Sequence, residues 1–312
     1  MIPKPVAIVP EKILPAQPDR IVEYATTVEA MGYWAVTAKD HVVLGRKPDG
    51  NNGYTNEQSF FEPMTLFSYM AGVTRRIKMI TGVMVLPQRP TALMAKQAQA
   101  VSDMSGGRLI LGVGVGSNAT EFAAMGASMS DRGKRMDEQL VALRNLWHQP
   151  YADLSVGNEQ GRGVGINPLP KHEIPIWLGG WARQALIRTA KFADGWAPMG
   201  HPADAEKLLP FLYEQLDKNG RDPDAFDLFG AFSTLRHGTQ APDTIEQREK
   251  DLDHWMNLGA TAVGYGRQAN FAGLEDRTLS QREALDAHLE DLATHIEMFS
   301  RITGYKLGAS SA

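Results

Sequence analysis

Three stretches of the 312-residue chain could do chemistry. The first is Lys39-Asp40-His41, directly after the apolar run Trp34 to Ala38. An imidazole at the end of a strand can hydrogen-bond a reacting oxygen or nitrogen and exchange a proton near neutral pH, and Asp40 stands beside it as the group that would orient it. The second is Leu109-Ile110-Leu111-Gly112-Val113-Gly114-Val115-Gly116-Ser117-Asn118, a buried strand running into closely spaced glycines. Lacking side chains, Gly114 and Gly116 would let a planar ring or a phosphate approach the backbone, although small residues also serve to pack one strand on the next. The third is Ile176-Trp177-Leu178-Gly179-Gly180-Trp181-Ala182-Arg183, which reads as strand, two-glycine turn and helix start. Free N–H groups and the positive end of the helix dipole favour an anion there, and Arg183 would add a charge.

Other chemistries are disfavoured. Ser117 stands where a GxGxxG fingerprint needs its third glycine, and the run lies in mid-chain, so a nicotinamide enzyme on a doubly wound sheet fits poorly. His148, His172, His201, His237, His254, His288 and His295 form no HxH or HExxH pair, and no metal centre is expected. With no Cys there is no disulfide framework, thiolate ligand or cysteine nucleophile, which fits a reducing compartment. The 32 Lys and Arg against 36 Asp and Glu give a net charge of −4, unlike a basic nucleic-acid binder. Met1-Ile2-Pro3-Lys4-Pro5 does not begin a signal peptide, and the apolar runs are interrupted well short of a membrane span. A cytoplasmic protein with a small-molecule substrate, and neither nucleic acid nor membrane as partner, is expected.

The elements that must position these groups follow a rhythm of amphipathic segment, glycine and short apolar run, at Gly32, Gly106-Gly107, Gly195 and Gly259. The rhythm predicts strands near 6–9, 34–39, 77–86, 109–115, 175–179, 195–198, 227–233 and 261–265. Helices are predicted near 19–31, 62–74, 91–104, 131–147, 182–193, 203–219, 243–258 and 281–302, with Asp131-Arg132-Gly133-Lys134-Arg135 opening the fourth. About eight strand-plus-helix units predict an α/β protein, one (β/α)₈ barrel over 1–312 with insertion loops. Two connections are long for such a barrel. Residues 41–60 follow a strand's C-terminal end, where barrel enzymes carry their chemistry, and are the better candidate for a lid; residues 150–174 precede a strand and would start on the opposite face. His288 and His295 share a helix face rich in Glu and Asp that reads as solvated, and the tail 308–312 reads as frayed.

Taken together these segments resemble the luciferase-like monooxygenase family of flavin- and deazaflavin-dependent oxidoreductases. The likeness runs through Leu86-Pro87-Gln88-Arg89-Pro90, Ala95-Lys96-Gln97, Ser105-Gly106-Gly107-Arg108-Leu109, Gly112 to Gly116 and Glu121-Phe122, then Arg132, Asp137-Glu138, Leu146-Trp147, Pro175 to Gly180 and Asp194-Gly195-Trp196. The resemblance implies a tricyclic cofactor, coenzyme F420 or FMN with a lean towards F420, lying across the barrel mouth. It implies that Gly82-Val83 forms a bulge, often with a non-prolyl cis peptide, against the ring. It places the cofactor phosphate at Gly179-Gly180-Trp181-Ala182, lines the site with Gly116-Ser117-Asn118, and sets His41 beside the reactive atoms after the acid Asp40. With FMN, members activate dioxygen and receive reduced cofactor from a separate reductase; with F420 they exchange hydride. Ser117 and Gly45 stand where sugar-phosphate dehydrogenases of the family carry a carboxylate and, nearby, a tryptophan, which disfavours that substrate. The resemblance also implies a homodimer through helices 62–74 and 91–104, with Met64, Phe67, Tyr69, Met70 and Met94 as contacts. A catalytically silent flavin-binding sensor on the same barrel is the alternative function.

Overall fold

Runs such as Val6-Ala7-Ile8 and Met79-Ile80 are apolar on both faces, which suits parallel strands covered inside and out. A computed structural model describes residues 1–312 apart from 11–12, 50–53, 199, 233–234, 237–238, 241–243, 267–279 and 308–312. The strands are β1 (Lys4–Ile8), β2 (Ala35–Ala38), β3 (Lys78–Thr81), β4 (Met84–Val85), β5 (Leu109–Gly114), β6 (Ala152–Val156), β7 (Glu159–Val164), β8 (Ile176–Leu178), β9 (Gly195–Trp196), β10 (Asp227–Ala231), β11 (Leu235–Arg236), β12 (Thr239–Gln240) and β13 (Ala262–Tyr265). The helices are α1 (Ile21–Ala30), α2 (Pro63–Val73), α3 (Thr91–Ser105), α4 (Ala119–Ala124), α5 (Arg132–His148), α6 (Arg183–Phe192), α7 (Pro202–Lys218), α8 (Ile245–Asn257) and α9 (Gln281–Thr303).

The sheet closes on itself. Its parallel pairings run β1–β2–β3–β5–β8–β9–β10–β13 and back to β1, the register of the last contact being Lys4↔Ala262 to Ala7↔Tyr265. β3 and β4 are two parts of one interrupted strand, both paired to β5, so the described residues form a barrel of eight strand positions. All strands of the barrel point one way, and their C-terminal ends share one mouth.

Inside the barrel Val6, Ala35, Ile80, Ile110, Trp177, Ala197, Phe229 and Ala262 pack with Trp34. Trp177 lies 6.3 Å from Trp34 and 5.4 Å from Phe229, centroid to centroid, so three aromatic rings fill the middle of the barrel. Alternation along each strand makes Ile8, Thr37, Gly82, Gly112, Gly179, Ala231 and Gly264 the next inward positions towards the mouth. Large side chains plug the barrel below, and apart from Ile8 the upper layer is built of small ones. Between strands and helices, one cluster spans α1, α2, α3, α5 and α9, and a second lies under α6, α7, α8 and α9.

Several expectations are corrected. Gly32, Gly106 and Gly259 take φ of 93°, 71° and 81°, as left-handed helix ends do, but Gly195 is an extended strand residue. It is glycine for space: a Cβ there would lie 2.7 Å from the Trp177 indole. The long connection 150–174 contains a β-hairpin: β6 pairs antiparallel with β7 and buries Leu154 and Val156 against Ala142 of α5. The hairpin climbs towards the mouth, where Glu159 accepts the Thr91 N–H at 2.8 Å and pairs with Arg135 in the first turn of α5. His288 and His295 are 1% and 0% exposed; the helix face read as solvated packs on the barrel, and the His295 ring stacks 3.9 Å from Tyr265. On α2 and α3, Met64, Phe67, Met70 and Met94 are spent inside the chain, and Tyr69 alone of the five expected interface residues is exposed. The tail 308–312 lies outside the described residues. Among the described residues no helix is long and apolar enough to cross a membrane.

Candidate functional site at the barrel mouth

His41 lies three residues past β2, with its side chain about one-tenth exposed. Its ring meets Phe60 and Tyr54 edge-on at 4.8 and 5.3 Å, so the two ends of the long 41–60 connection fold together around the imidazole. The ring's partner is Glu121 on α4: His41 Nδ1 is 3.4 Å from Glu121 Oε2, and the Val42 N–H donates to Oε1 at 2.6 Å. Burial by itself pushes the Glu121 carboxyl up, but the bonds from the His41 ring and the Val42 N–H outweigh it and hold the group below its ordinary value. An ionised carboxylate only accepts, so the contact requires Nδ1–H on the imidazole.

The spacing of Asp40 and His41 suggests an acid orienting its neighbour, and the structure corrects this. Asp40 is buried and turned away: Oδ1 receives Arg89 Nη2 at 2.6 Å, and Oδ2 receives the Val85 N–H at 2.9 Å. Glu121, eighty residues further along, takes the orienting place. The legible signal was an acid in the first turn of a short helix directly after a glycine-rich strand; α4 itself was not predicted. Asn118 caps that helix by accepting the Glu121 N–H at 2.9 Å, and its Nδ2 donates to the Asp49 carbonyl at 3.2 Å. Asp49 in turn accepts the Thr120 N–H at 2.7 Å. The loop beside His41 is thereby tied to α4 at two points.

Gly82 and Val83 occupy the break between β3 and β4, partly exposed at the mouth, and their peptide bond is cis. The buried Thr37 hydroxyl, without a hydrogen-bond partner among the described residues, lies where a side chain on Gly82 would project, 2.3 Å from a Cβ placed there. The glycines of β5 have a use other than the expected one. A Cβ on Gly114 would lie 2.7 Å from Val83 Cγ2, one on Gly112 1.9 Å from the Thr81 carbonyl oxygen, and one on Gly116 2.5 Å from Val85 Cγ1. Their missing side chains make room for the bulge of the neighbouring strand position. Gly179 completes the cradle, its Cβ position lying 3.2 Å from Val83 Cγ1. Ser117, past the end of β5, is partly exposed.

After β8, Gly180 carries φ of 118° and its carbonyl accepts Trp196 Nε1 at 2.9 Å. Trp181 packs edge-on against Trp196 and Ala182 begins α6 with no side-chain cap, leaving first-turn N–H groups uncapped by any side chain. Arg183 does not add its charge there: its guanidinium lies 4.4 Å over the Phe211 ring of α7. His41, the bulge, Gly114 to Asn118 and Gly179 to Ala182 thus stand at the ends of neighbouring strand positions, β2, β3/β4, β5 and β8. An upper layer built mostly of small residues fits a flat ring, and the uncapped helix start behind a glycine pair fits a phosphate.

Comparison with known proteins agrees with this architecture. The luciferase-like monooxygenase family matches residues 6–298. A protein of Mycobacterium tuberculosis described as uncharacterized is 32% identical over 206 residues, covering 63% of this chain and 71% of that one. A pyrimidine monooxygenase of Methylorubrum extorquens is 29% identical over 238 residues (70% and 62%), and an F420-dependent glucose-6-phosphate dehydrogenase of Mycolicibacterium smegmatis 28% over 221 residues (67% and 62%). With a closed parallel barrel, an interrupted third strand and a match that spans nearly every element of it, the chain belongs to the luciferase-like monooxygenase family.

Proposed function

We propose that the protein is an oxidoreductase that transfers hydride to, or oxygenates, a small organic substrate with F420 or FMN held across the barrel mouth. The observation that carries this reading is His41, fixed by the buried Glu121 carboxylate past the end of β2, one strand position from the partly exposed Gly82-Val83 bulge. A protein that only stored a flavin would have no use for a proton-exchanging group with a set tautomer at that place. Gly82 and Val83 would support one face of the ring, and the loop Gly179 to Ala182 with the start of α6 would hold the phosphate through backbone N–H groups. The cofactor supplies the redox chemistry when bound. The chain's own part is to hold ring and substrate together, to screen them from water with the 41–60 connection, and to give or take a proton at the His41 imidazole. Tyr54 and Phe60, packed on the imidazole, offer the substrate an apolar and aromatic wall.

F420 is the favoured cofactor, in keeping with the F420-dependent relative; an oxygenating FMN enzyme, supplied by a separate reductase, is the other form of the same proposal. Titration of the protein with each cofactor, followed by absorbance and fluorescence and then by competition, decides between them. Binding of neither would overturn the proposal. Reoxidation of the bound reduced cofactor by a panel of carbonyl, nitro and enone compounds, with and without dioxygen, then separates reductase from monooxygenase.

A further inference from the structure

The strand break at the mouth needs something to hold its far side. The ladder between β2 and β3 runs from Ala35↔Lys78 to Ala38↔Thr81 and ends with the Gly82 N–H donating to the Ala38 carbonyl at 2.7 Å. The strand resumes as β4, but only towards β5, through Met84↔Val113 and Val85↔Gly114. β2 has already ended, and among the described residues no backbone acceptor pairs with the edge of β4 that faces it. The Val85 N–H is met instead by the side chain of Asp40, at 2.9 Å.

We propose that Asp40 is a positioning residue whose carboxylate stands in for the missing β2 backbone and so sets how the Gly82-Val83 bulge sits at the mouth. The proposal rests on the reading that this bulge supports the cofactor ring. Val85 is the lever: its Cγ1 fills the space beside Gly116, and two residues earlier Val83 sits between Gly114 and Gly179. Holding Val85 therefore holds the surface that Val83 presents. The carboxylate is kept buried by Arg89, whose Nη2 is 2.6 Å from Oδ1 and whose Nε is 3.3 Å from Oδ2. Arg89 also reaches Glu62 at 3.4 Å, and its carbonyl accepts Gln139 Nε2 of α5 at 3.0 Å. The pair thus joins the end of β2, the resumed strand, the start of α2 and α5. On this assignment the acceptor oxygen at residue 40 matters for the bulge, and the charge matters only for keeping the buried pair neutral.

The test uses two double variants that both remove the buried charges. Asp40→Asn with Arg89→Met keeps an acceptor oxygen for Val85; Asp40→Ala with Arg89→Met does not. Hydrogen exchange of the folded proteins, read on a peptide spanning β4, should be faster by about tenfold in the Ala pair and close to wild type in the Asn pair, as loss of one hydrogen bond predicts. The dissociation constant for F420 or FMN, read by fluorescence, should rise by about tenfold in the Ala pair only, with a changed bound-state spectrum. Wild-type protection of β4 in the Ala pair overturns the proposal. So does loss of protection in the Asn pair, which would make charge the essential feature and which can be read even if the Ala pair fails to fold. Lost protection with unchanged cofactor affinity and spectrum also overturns it, because the bulge would then not be positioned for the ring. If the wild type binds neither cofactor, the functional reading falls, while hydrogen exchange still decides whether Asp40 holds the bulge.

Discussion

Glu121 is the residue on which the chemistry of His41 depends, and removing its charge has calculable consequences. The carboxylate is 1% exposed and accepts from Val42 at 2.6 Å and from His41 at 3.4 Å. Each hydrogen bond to a buried charged acceptor is worth about 1.5–3 kcal/mol, so Glu121→Ala should destabilise the protein by about 3–5 kcal/mol. Glu121→Gln keeps an acceptor for the Val42 N–H and loses only the charge, a deficit of about 1–2 kcal/mol. The folded carboxyl lies below its ordinary value of about 4.5, so its stabilising contribution is complete above pH 4.5 and is lost as pH falls through the folded value. Urea unfolding of wild type and Glu121→Gln, stepped from pH 7 to below pH 4, should therefore show a gap that is constant down to about pH 4.5 and then closes. Other carboxylates titrate in both proteins and cancel in the difference. The amide no longer dictates which nitrogen of His41 carries the proton, so turnover should fall too, though less than on removing the imidazole. A gap that persists unchanged through the acid range, or no gap at pH 7, would refute the assignment of Glu121 as an ionised partner of His41.

His41→Ala should fold and bind cofactor nearly as wild type while turnover drops by about 100-fold or more, read on whichever panel compound the wild type reduces or oxygenates; equal rates would remove His41 from the mechanism. Ala182→Asp separates two effects of the same helix end: a carboxylate cap should raise stability by about 1 kcal/mol, while its charge in the phosphate site should weaken cofactor binding, and unchanged affinity would move the phosphate elsewhere. Burial, with the nearby Arg248 charge adding to it, holds the His295 ring well below its ordinary pKa of 6.5, so the fold is favoured by the neutral ring. Wild-type stability should then fall by about 1.4 kcal/mol per pH unit below pH 6.5, and His295→Phe, which keeps the stack on Tyr265, should flatten that slope; parallel profiles would count against it. A homodimer is proposed through α2 and α3, whose outer surfaces carry Tyr69, Leu93 and Met104; sedimentation at micromolar concentration showing only 34.3 kDa would reject it.

How much of this was legible differs from residue to residue. Local chemistry was enough for the barrel: apolar runs of strand length alternating with amphipathic segments, three of them closed by a left-handed glycine, leave few alternatives to a parallel α/β sheet, and most strands and helices formed close to their expected bounds. The position of His41 after β2 and the turn at Gly179-Gly180 were visible in the residues themselves, whereas the interruption at Gly82-Val83 was implied only by the family resemblance, the periodicity predicting one strand over 77–86. The hairpin was readable but unread: Ala152-Asp153-Leu154-Ser155-Val156 alternates, with Gly157-Asn158 as its turn. Partnership was not legible. Asp40 is adjacent to His41 in sequence yet bonds Arg89 and Val85, because successive residues at a strand's end point to opposite sides. Glu121 reaches His41 only because barrel closure sets β2 and β5 on either side of β3, bringing together chain segments eighty residues apart. The glycines of β5 signalled a close approach, and only the folded chain shows what approaches: the side chains and backbone of the neighbouring strand position. Sequence alone determined which groups stand at the mouth, since strand ends are local; which of them touch was left to the tertiary structure, since a side chain's partner is chosen by strand order and register, and these are properties of the whole barrel.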